Sequence, residues 1–290
     1  MEKKEYRLKG HESFILREGW VTKGLRAICE DNNVFLKNSG ADALGVGTNM
    51  AKAIRFWLRA AGLTQEVQRS GVALSELGKL IYQKDPYLED IFSLWILHSN
   101  IVRNVQQTTS WNLFFNDIDV TSFNKKELLS MLTDKIIEYT GNETPSESSI
   151  AGDAAAILAM YTDGKDVSDD PEDKKNSPFC ELGLLHKLGV GYKRTRPAIN
   201  LIDPLVIYYL MANDLLKERV LSIDTVVSGR DMPGKILNMN RLTINDCLDA
   251  LHNKEYIIVN RTAGLDVIYP ANNLTAIEAI KKHYEGSSIQ

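Results

Sequence analysis

The sequence predicts a mainly α-helical protein with small β-wings: an N-terminal winged helix-turn-helix, a helical middle and a C-terminal winged-helix-like module. Apolar residues recur at helical spacing through much of the 290-residue chain. The break Gly45-Val46-Gly47 separates two helical stretches. At two places along the chain, a pair of short strands is predicted directly after a helix. The composition, 44% hydrophobic and 25% charged, is that of an ordinary globular protein.

The first third has the element order of a winged helix-turn-helix, which we expect over residues 1–85. The segment LREGWVTKGLRAICEDNN has the spacing of an amphipathic helix. The segment ADALGVGTNMAKAIRFWLRAAGL predicts a short helix, a glycine turn and a second helix that begins near Thr48. The segment TQEVQRSGVALSELG predicts a β-ribbon that turns at Ser70-Gly71, and Ser75 is placed to cap the next helix. This ribbon occupies the position of a wing.

Two further domains are expected, a helical middle over residues 86–165 and a C-terminal domain over 176–290. The polar, proline-bearing run DGKDVSDDPEDKKNSP between them is the predicted linker. In the last third, LIDPLVIYYLMANDLL predicts a strongly apolar helix. The segment RLTINDCLDALHNKEYIIVNRTAGLDVIYP predicts a helix followed by a hairpin, and a closing helix is expected after Asn272.

The charge distribution, the cysteines and the hydropathy limit the classes of protein to which this chain can belong. Residues 1–69 hold twelve Lys and Arg against eight Asp and Glu, although the whole chain has a net charge of −4. This asymmetry predicts a DNA-facing end. Cys29, Cys180 and Cys247 stand apart among apolar neighbours, which predicts core thiols. The chain has no apolar run of membrane-spanning length and no signal peptide, so we expect a cytoplasmic protein without membrane association.

The helix after Gly47 carries the predicted DNA contacts. Its apolar residues recur at i, i+4, i+7, i+8 and i+11, and cationic residues follow the same spacing on the opposite side. The N-terminal residues of a recognition helix reach base edges, while its cations neutralise phosphates. A merely solvated face is the alternative, because cationic helix faces are common. The predicted DNA-binding residues are Thr48, Asn49, Lys52, Arg55, Arg59, Lys23 and Arg69.

The sequence contains no motif of a catalytic, cofactor or metal site. Gly45-Val46-Gly47 and Gly189-Val190-Gly191 lack the remaining residues of a nucleotide-binding loop, and tight turns explain both. The histidines lack metal-site spacing, and His98 is expected in the core. His11-Glu12 beside Arg17-Glu18 forms a polar cluster for which salt-bridged packing is favoured over catalysis. We therefore expect a protein that is not an enzyme and uses no cofactor, with a metal-dependent nuclease as the enzymatic alternative.

The C-terminal module is expected to contact proteins or to be structural. The outward positions of its helix are polar or acidic, and acidic groups repel phosphate. These positions are Asn245, Asp246, Asp249 and Asn253. Arg241 and Arg261 leave a smaller option for DNA contact.

Four segments resemble an uncharacterised prokaryotic family of unknown function. The segments are GHESFILREGWVTKGLRAI, ALGVGTNMAKAIRFWLRAAGL, GKLIYQKDPYLEDIFSLWILH and SPFCELGLL. Members of that family are found beside genes for Dnd-type DNA phosphorothioation, the sulfur modification of the DNA backbone, and related phage-defence systems. The resemblance is densest between Gly10 and His98. It implies a partner role next to a sulfurtransferase-like enzyme and an ATPase, and it supplies no catalytic residues.

Two functions follow as hypotheses. The first is a non-enzymatic protein that binds double-stranded DNA in a phosphorothioation or phage-defence system, either to recognise the modification site or to regulate its own operon. The second is an adaptor that scaffolds the DNA-modification enzymes of the same operon. A homodimer is expected with the first, because a single helix-turn-helix usually gains affinity by dimerising.

Overall fold

The structure, a computed structural model, describes residues 4–67, 71–141, 145–162, 176–262 and 264–287. Most of these residues are helical and the strands form small antiparallel sheets, which confirms the mainly α class with small β elements. The chain divides into two units, Met1–Thr195 and Arg196–Gln290. The three-domain division expected from the sequence stays a prediction. Most of the predicted linker, residues 163–175, lies outside the described residues.

The first unit is built mainly from helices. In chain order they are α1 (Trp20–Glu30), α2 (Ala41–Leu44), α3 (Thr48–Ala60), α4 (Glu76–Lys84), α5 (Ile91–Arg103), α6 (Thr109–Asp117), α7 (Lys125–Thr140) and α8 (Glu147–Tyr161). A short 3-10 helix, Pro178–Leu182, follows α8. The helices predicted around the glycine turn are confirmed, and Ser75 caps α4 by accepting a hydrogen bond from the Gly78 backbone N–H.

Two antiparallel sheets belong to this unit. Strands β1 (Thr64–Val67) and β2 (Gly71–Leu74) form the predicted hairpin, whose turn at residues 68–70 lies outside the described residues. Strands β3 (Ser122–Asn124), β4 (Leu185–Leu188) and β5 (Gly191–Arg194) form a second sheet in the order β3-β5-β4. The sequence pattern did not predict this sheet, because β4 and β5 contain few β-branched or aromatic residues and β3 pairs with β5 across a long sequence separation.

Helices α1 and α3 pack closely through a glycine. A Cβ atom at Gly24 would lie 2.5 Å from Leu58 Cδ1, so any larger residue there would displace the Leu58 side chain. The buried face of α3 includes Ile54, Trp57 and Leu58, as predicted. This packing fixes the rotation of α3 about its axis and therefore decides which of its side chains face solvent.

His98 lies in the core, as predicted. It is fully buried, and its Nδ1 atom is 2.8 Å from the Tyr161 hydroxyl oxygen. The His98 ring also makes edge contacts with Phe115 and Phe179. Burial raises the pKa of Tyr161 well above its ordinary value, so the hydroxyl is a neutral partner of the histidine.

The second unit has helices packed beside a three-stranded antiparallel sheet. Its helices are α9 (Pro204–Glu218), α10 (Ile223–Ser228), α11 (Pro233–Ile236), α12 (Arg241–Asn253) and α13 (Ala276–Ser287). Its strands are β6 (Leu221–Ser222), β7 (Ile257–Asn260) and β8 (Val267–Pro270), in the order β6-β8-β7. The predicted helix followed by a hairpin, α12 with β7 and β8, is confirmed, and so is the closing helix α13.

The three cysteines differ in burial. Cys247 is buried and Cys180 is partly buried, but Cys29 is exposed. The prediction of a core thiol at Cys29 was therefore wrong, because the buried face of α1 is formed by Gly24, Leu25 and Ile28 instead. Across the described residues, no helix combines the length and the apolar character needed to cross a membrane.

Candidate nucleic-acid interface

The position of α3 is set by the glycines that precede it. Gly45 ends α2 with a positive φ of 60°, a backbone conformation that favours glycine. Gly47 then precedes α3 in an extended conformation and offers no side chain to cap the helix. Gly45-Val46-Gly47 is thus a tight turn, as expected. Gly189, with a φ of 58°, has the same role between β4 and β5.

The structure places six of the seven predicted DNA-binding residues. Thr48, Asn49, Lys52 and Arg59 are exposed on α3, whereas Arg55 is partly buried. The Thr48 hydroxyl lies 3.4 Å from Asn38 Oδ1. Lys23 is exposed on α1. Arg69 lies outside the described residues. Whether these residues contact DNA stays a prediction.

A concave surface lies along the cationic side of α3, and we call it the α3 cleft. It has a volume of about 340 Å³. Its lining residues are Arg7, Gly10, Glu12, Phe35, Ser39, Lys52, Arg55, Phe56, Arg59 and Glu66. The cleft brings three of the predicted residues, Lys52, Arg55 and Arg59, to one place and does not include Thr48, Asn49 or Lys23.

The N-terminal segment contributes to this cleft in a way that its sequence pattern does not predict. Arg7 and Glu12 come from irregular backbone before α1, where no helical or strand period predicts the direction of a side chain. The local excess of Lys and Arg in residues 1–69 was the available signal, and it gave the sign of the charge but not its position. Glu66 of β1 was missed for a related reason, since its pairing with Arg55 depends on the tertiary fold.

Two guanidinium groups of the cleft are held in place by their neighbours. Arg55 Nη2 donates to Glu66 Oε1 across 2.7 Å, and the Arg55 guanidinium lies over the Phe35 ring at 5.7 Å from its centroid. Arg7 Nη1 donates to Gln107 across 2.9 Å, and its guanidinium lies over the Phe56 ring at 5.2 Å. Such contacts reduce the conformational freedom that these side chains would lose on binding a ligand.

The cleft holds an excess of positive charge. Its lining includes four cationic side chains and two carboxylates, and one of these carboxylates is already paired with Arg55. Burial and then the nearby charge of Arg59 lower the pKa of Arg7, although Glu12 opposes the shift. Arg7 stays protonated at neutral pH because an arginine pKa begins so high. A bound anion would relieve the repulsion between Arg7 and Arg59.

A buried polar network holds the N-terminal segment against the helices. Asp153 Oδ1 accepts a hydrogen bond from the Lys9 backbone N–H at 2.8 Å and lies 3.0 Å from His11 Nε2. The Ser110 hydroxyl donates to Asp153 Oδ2 across 2.6 Å. The predicted cluster of His11-Glu12 with Arg17-Glu18 is divided in the structure. His11 is buried against Asp153, Glu12 lines the cleft, and Arg17 lies over the Phe14 and Trp20 rings.

The polar face of α12 is largely neutralised by ion pairs. Arg261 donates to Asp249 Oδ1 across 2.6 Å and to Asn245, and these two partners are partly buried. Asp246 and Asn253 are exposed. Arg241 is paired with both Asp224 and Asp266. Arg241 and Arg261 therefore both have carboxylate partners.

The described residues contain no group of three or more His, Cys, Asp or Glu side chains that could hold a metal ion. In the α3 cleft the two carboxylates are accompanied by four cations, which repel a divalent ion. The cleft suits an anion better than a metal.

Comparison with known proteins assigns the chain to a family. The family described as "Protein of unknown function (DUF4007)" matches residues 8–284, and the chain belongs to it. Two crystal structures of proteins named SspB are similar to this fold. One is described as magnesium ion-bound and shares 22% identity at a TM-score of 0.84, covering 98% of this chain and 89% of the other. The second shares 23% identity at a TM-score of 0.83, covering 100% and 91%. No curated protein matches the sequence.

Proposed function

We propose that this member of the DUF4007 family binds double-stranded DNA through the outward face of α3, within a DNA phosphorothioation or phage-defence system. The observation that carries the proposal is the division of α3 into a buried apolar face and an exposed face with Lys52 and Arg59. Helix α2, the glycine turn, α3 and the β1–β2 hairpin follow one another in the order of a winged helix-turn-helix.

Each predicted residue has a role in this arrangement. Thr48 and Asn49 lie in the first turn of α3 and are exposed, which is where a recognition helix reaches base edges. Lys52 and Arg59 supply charge for phosphates. Arg55 contributes less, because Glu66 already neutralises part of its charge. Lys23 extends the basic surface from α1. Arg69, which lies outside the described residues, is proposed as a further cationic contact from its place in the sequence alone.

The biological role that we propose is binding without a chemical step. The protein recognises the modification site or regulates its operon, and it cooperates with the DNA-modification enzymes encoded nearby. We also propose a homodimer, because two copies of a recognition helix bind a two-part site more tightly than one. Family membership and the similarity of the fold to SspB support this setting.

The test is fluorescence anisotropy of a labelled duplex titrated with the full chain over a range of salt concentrations. The double variant Lys52→Ala, Arg59→Ala is compared with Lys125→Ala, Lys126→Ala, which removes the same charge from exposed positions on α7. We expect the α3 variant to lose affinity and to reduce the salt slope by about two, since each phosphate contact contributes about one. Equal losses in both variants would show that only net charge matters and would reject the interface.

The adaptor is the second candidate, and the second unit gives it support. Leu242, Ile258 and Tyr269 are exposed apolar side chains of this unit, and Ile258 and Tyr269 are neighbours across β7 and β8. An adaptor would co-purify with an operon-encoded enzyme and bind duplex DNA weakly. Leu242→Asp with Ile258→Asp would then abolish the complex while leaving DNA affinity unchanged.

A magnesium-dependent nuclease is the enzymatic alternative, and the magnesium-bound SspB structure gives a reason to test it. The cationic surroundings of Glu12 and Glu66 fit this ion poorly, so no step is assigned to it. Incubation of supercoiled plasmid with the protein, with and without Mg²⁺, distinguishes the two cases. Metal-dependent nicking of the plasmid would show an enzymatic function and would reject a role limited to DNA binding.

A further inference from the structure

We propose that the α3 cleft binds a single nucleotide, whose phosphate contacts Arg7, Lys52 and Arg59 and whose base lies toward Phe35 and Phe56. This inference deepens the proposed function, since it uses the same helix, and it adds a specific ligand class to a region described so far only as basic. The ligand is a phosphate joined to a base, either within a DNA strand or as a free nucleotide.

The size of the cleft favours a nucleotide over a lone phosphate. Small-molecule sites have volumes of about 300–1,000 Å³, and the cleft, at about 340 Å³, lies within this range. Inorganic phosphate would leave most of that space unfilled. An intact duplex cannot enter a concave surface of this size, so the part of DNA that fits is one nucleotide displaced from its stack.

The mixture of charges in the cleft favours a nucleotide over a purely anionic ligand. Arg7, Lys52 and Arg59 provide cationic donors for phosphate oxygens. Glu12 and Glu66 also line the cleft, and carboxylates accept hydrogen bonds from amino and hydroxyl groups but repel further negative charge. A nucleotide has an anionic end and a donor-bearing end, whereas polyphosphate has only the first.

The guanidinium groups that lie over two aromatic rings supply a surface for the base, because Phe35 and Phe56 are themselves only 5% exposed. Phe35 and Phe56 both line the cleft, and each ring is covered by an arginine guanidinium, Arg55 in one case and Arg7 in the other. Bases stack on guanidinium planes as well as on aromatic rings. The guanidinium groups of the two Arg–Phe pairs can therefore contact a base without reading its identity.

The cleft is prepared for an anion before binding. Arg7 is fixed by its backbone N–H, which donates to Thr109 Oγ1 at 2.9 Å, and by its side-chain bond to Gln107. The charge of Arg59 contributes to the lowered pKa of Arg7, which is a sign of repulsion that a phosphate would relieve. The residues that follow Arg7 are held in turn, since the Lys9 backbone N–H donates to Asp153 and the His11 ring contacts the same carboxylate.

The experiment compares a fully paired duplex with the same duplex carrying one unpaired, bulged nucleotide. Wild type is compared with Arg7→Met, which keeps an apolar contact with Phe56 but removes the charge. Arg26→Met, an exposed position on α1 with the same charge change, is the control. Circular dichroism and thermal unfolding verify the fold of each variant. Calorimetry with each deoxynucleoside monophosphate, and with inorganic phosphate, tests the free ligand.

We expect the wild type to bind the bulged duplex about tenfold or more tightly than the paired one, and Arg7→Met but not Arg26→Met to lose this preference. Arg7-dependent binding of free monophosphates without a bulge preference would support the site and identify its source as the free nucleotide. Binding of inorganic phosphate as tight as that of the monophosphates would overturn the proposal. So would unchanged binding in Arg7→Met.

The failure of this inference differs from the failure of the proposed function. If the Lys52, Arg59 double variant loses duplex affinity while neither monophosphates nor bulged DNA are preferred, duplex binding stands and the nucleotide site is rejected. If Arg7-dependent nucleotide binding occurs without salt-dependent duplex binding, the nucleotide site stands and the recognition-helix role is rejected.

Discussion

Arg55 of α3 is bound to Glu66 of β1, with Arg55 Nη2 donating to Glu66 Oε1 across 2.7 Å. Both side chains are more than a third exposed, at 38% and 45%. The pair connects the proposed recognition helix to the first strand of the hairpin that follows it. It also places a carboxylate within the mainly cationic α3 cleft, so Glu66 would oppose the DNA binding that we propose.

The first prediction is that Glu66→Gln strengthens duplex binding. Glutamine retains an oxygen that can accept from Arg55, but it removes the negative charge and leaves the charge of Arg55 available to phosphate. Exposed ion pairs are worth about 0.2–1 kcal/mol, so we expect a gain in affinity of roughly two- to fivefold at low salt. Anisotropy against salt concentration measures both the gain and a steeper slope. Glu147→Gln, an exposed position on α8, is the control, and an equal gain there would contradict the prediction.

The second prediction concerns Asp153, which accepts bonds from the Lys9 backbone and from Ser110 and is paired with His11. Asp153→Ala leaves these groups buried without their partner. Each buried polar group left without its partner in this way costs about 1–3 kcal/mol of unfolding free energy. Urea unfolding followed by Trp fluorescence measures the loss in the first unit alone, because all four Trp residues lie in residues 1–195.

Glu147→Ala on the same helix is the control for this measurement. Its exposed side chain should change the unfolding free energy by less than about 0.5 kcal/mol. A loss at Asp153 no larger than the loss at Glu147 would show that the network does not stabilise the N-terminal segment.

Local sequence signals predicted local structure well. The glycine turn before Thr48 and the cap at Ser75 are decided by neighbours a few residues away, and both are present. The bond between His11 and Asp153 joins residues 142 positions apart, and no periodicity within a helix can indicate such a pair. The cleft depends on the same kind of distant contact, because Arg7 meets α3 only after the chain has folded. Three of the four cationic lining residues were therefore predictable as a helix face, while the concave shape of the cleft was not.

The third prediction is that the thiols react in an order set by their burial. Cys29 is exposed, whereas Cys247 is buried, and burial together with Asp246 and Asp203 raises the pKa of Cys247 to about 12. The thiolate is the reactive form, so a buried thiol with a raised pKa reacts slowly. In native protein at neutral pH, a maleimide should label Cys29 first and Cys247 only after denaturant is added. Peptide mass spectrometry measures this order, and early labelling of Cys247 would contradict the buried position of α12.

The fourth prediction is that the second unit loses stability in acid through Asp203. Burial alone would raise the pKa of this carboxyl, but hydrogen bonds from His283 and from the Leu205 backbone outweigh it and lower the pKa below its ordinary value of 3.8. His283 Nδ1 lies 2.7 Å from Asp203 Oδ2, which connects α13 to the start of α9. A lowered folded-state pKa stabilises the fold above the unfolded value, and this contribution is lost as the pH falls through the folded pKa.

Asp203→Asn tests this prediction because asparagine can still cap α9 but cannot ionise. Wild type and variant are equilibrated in urea at a series of pH values above and below 3.8, then given a brief deuterium pulse at one fixed pH. Mass spectrometry of peptides from α9 and α13 reports the unfolded fraction of the second unit. We expect the stability of wild type to decline more steeply below about pH 4 than that of the variant. Parallel declines would show that the Asp203–His283 pair makes no pH-dependent contribution, and acid unfolding would then be assigned to other carboxylates.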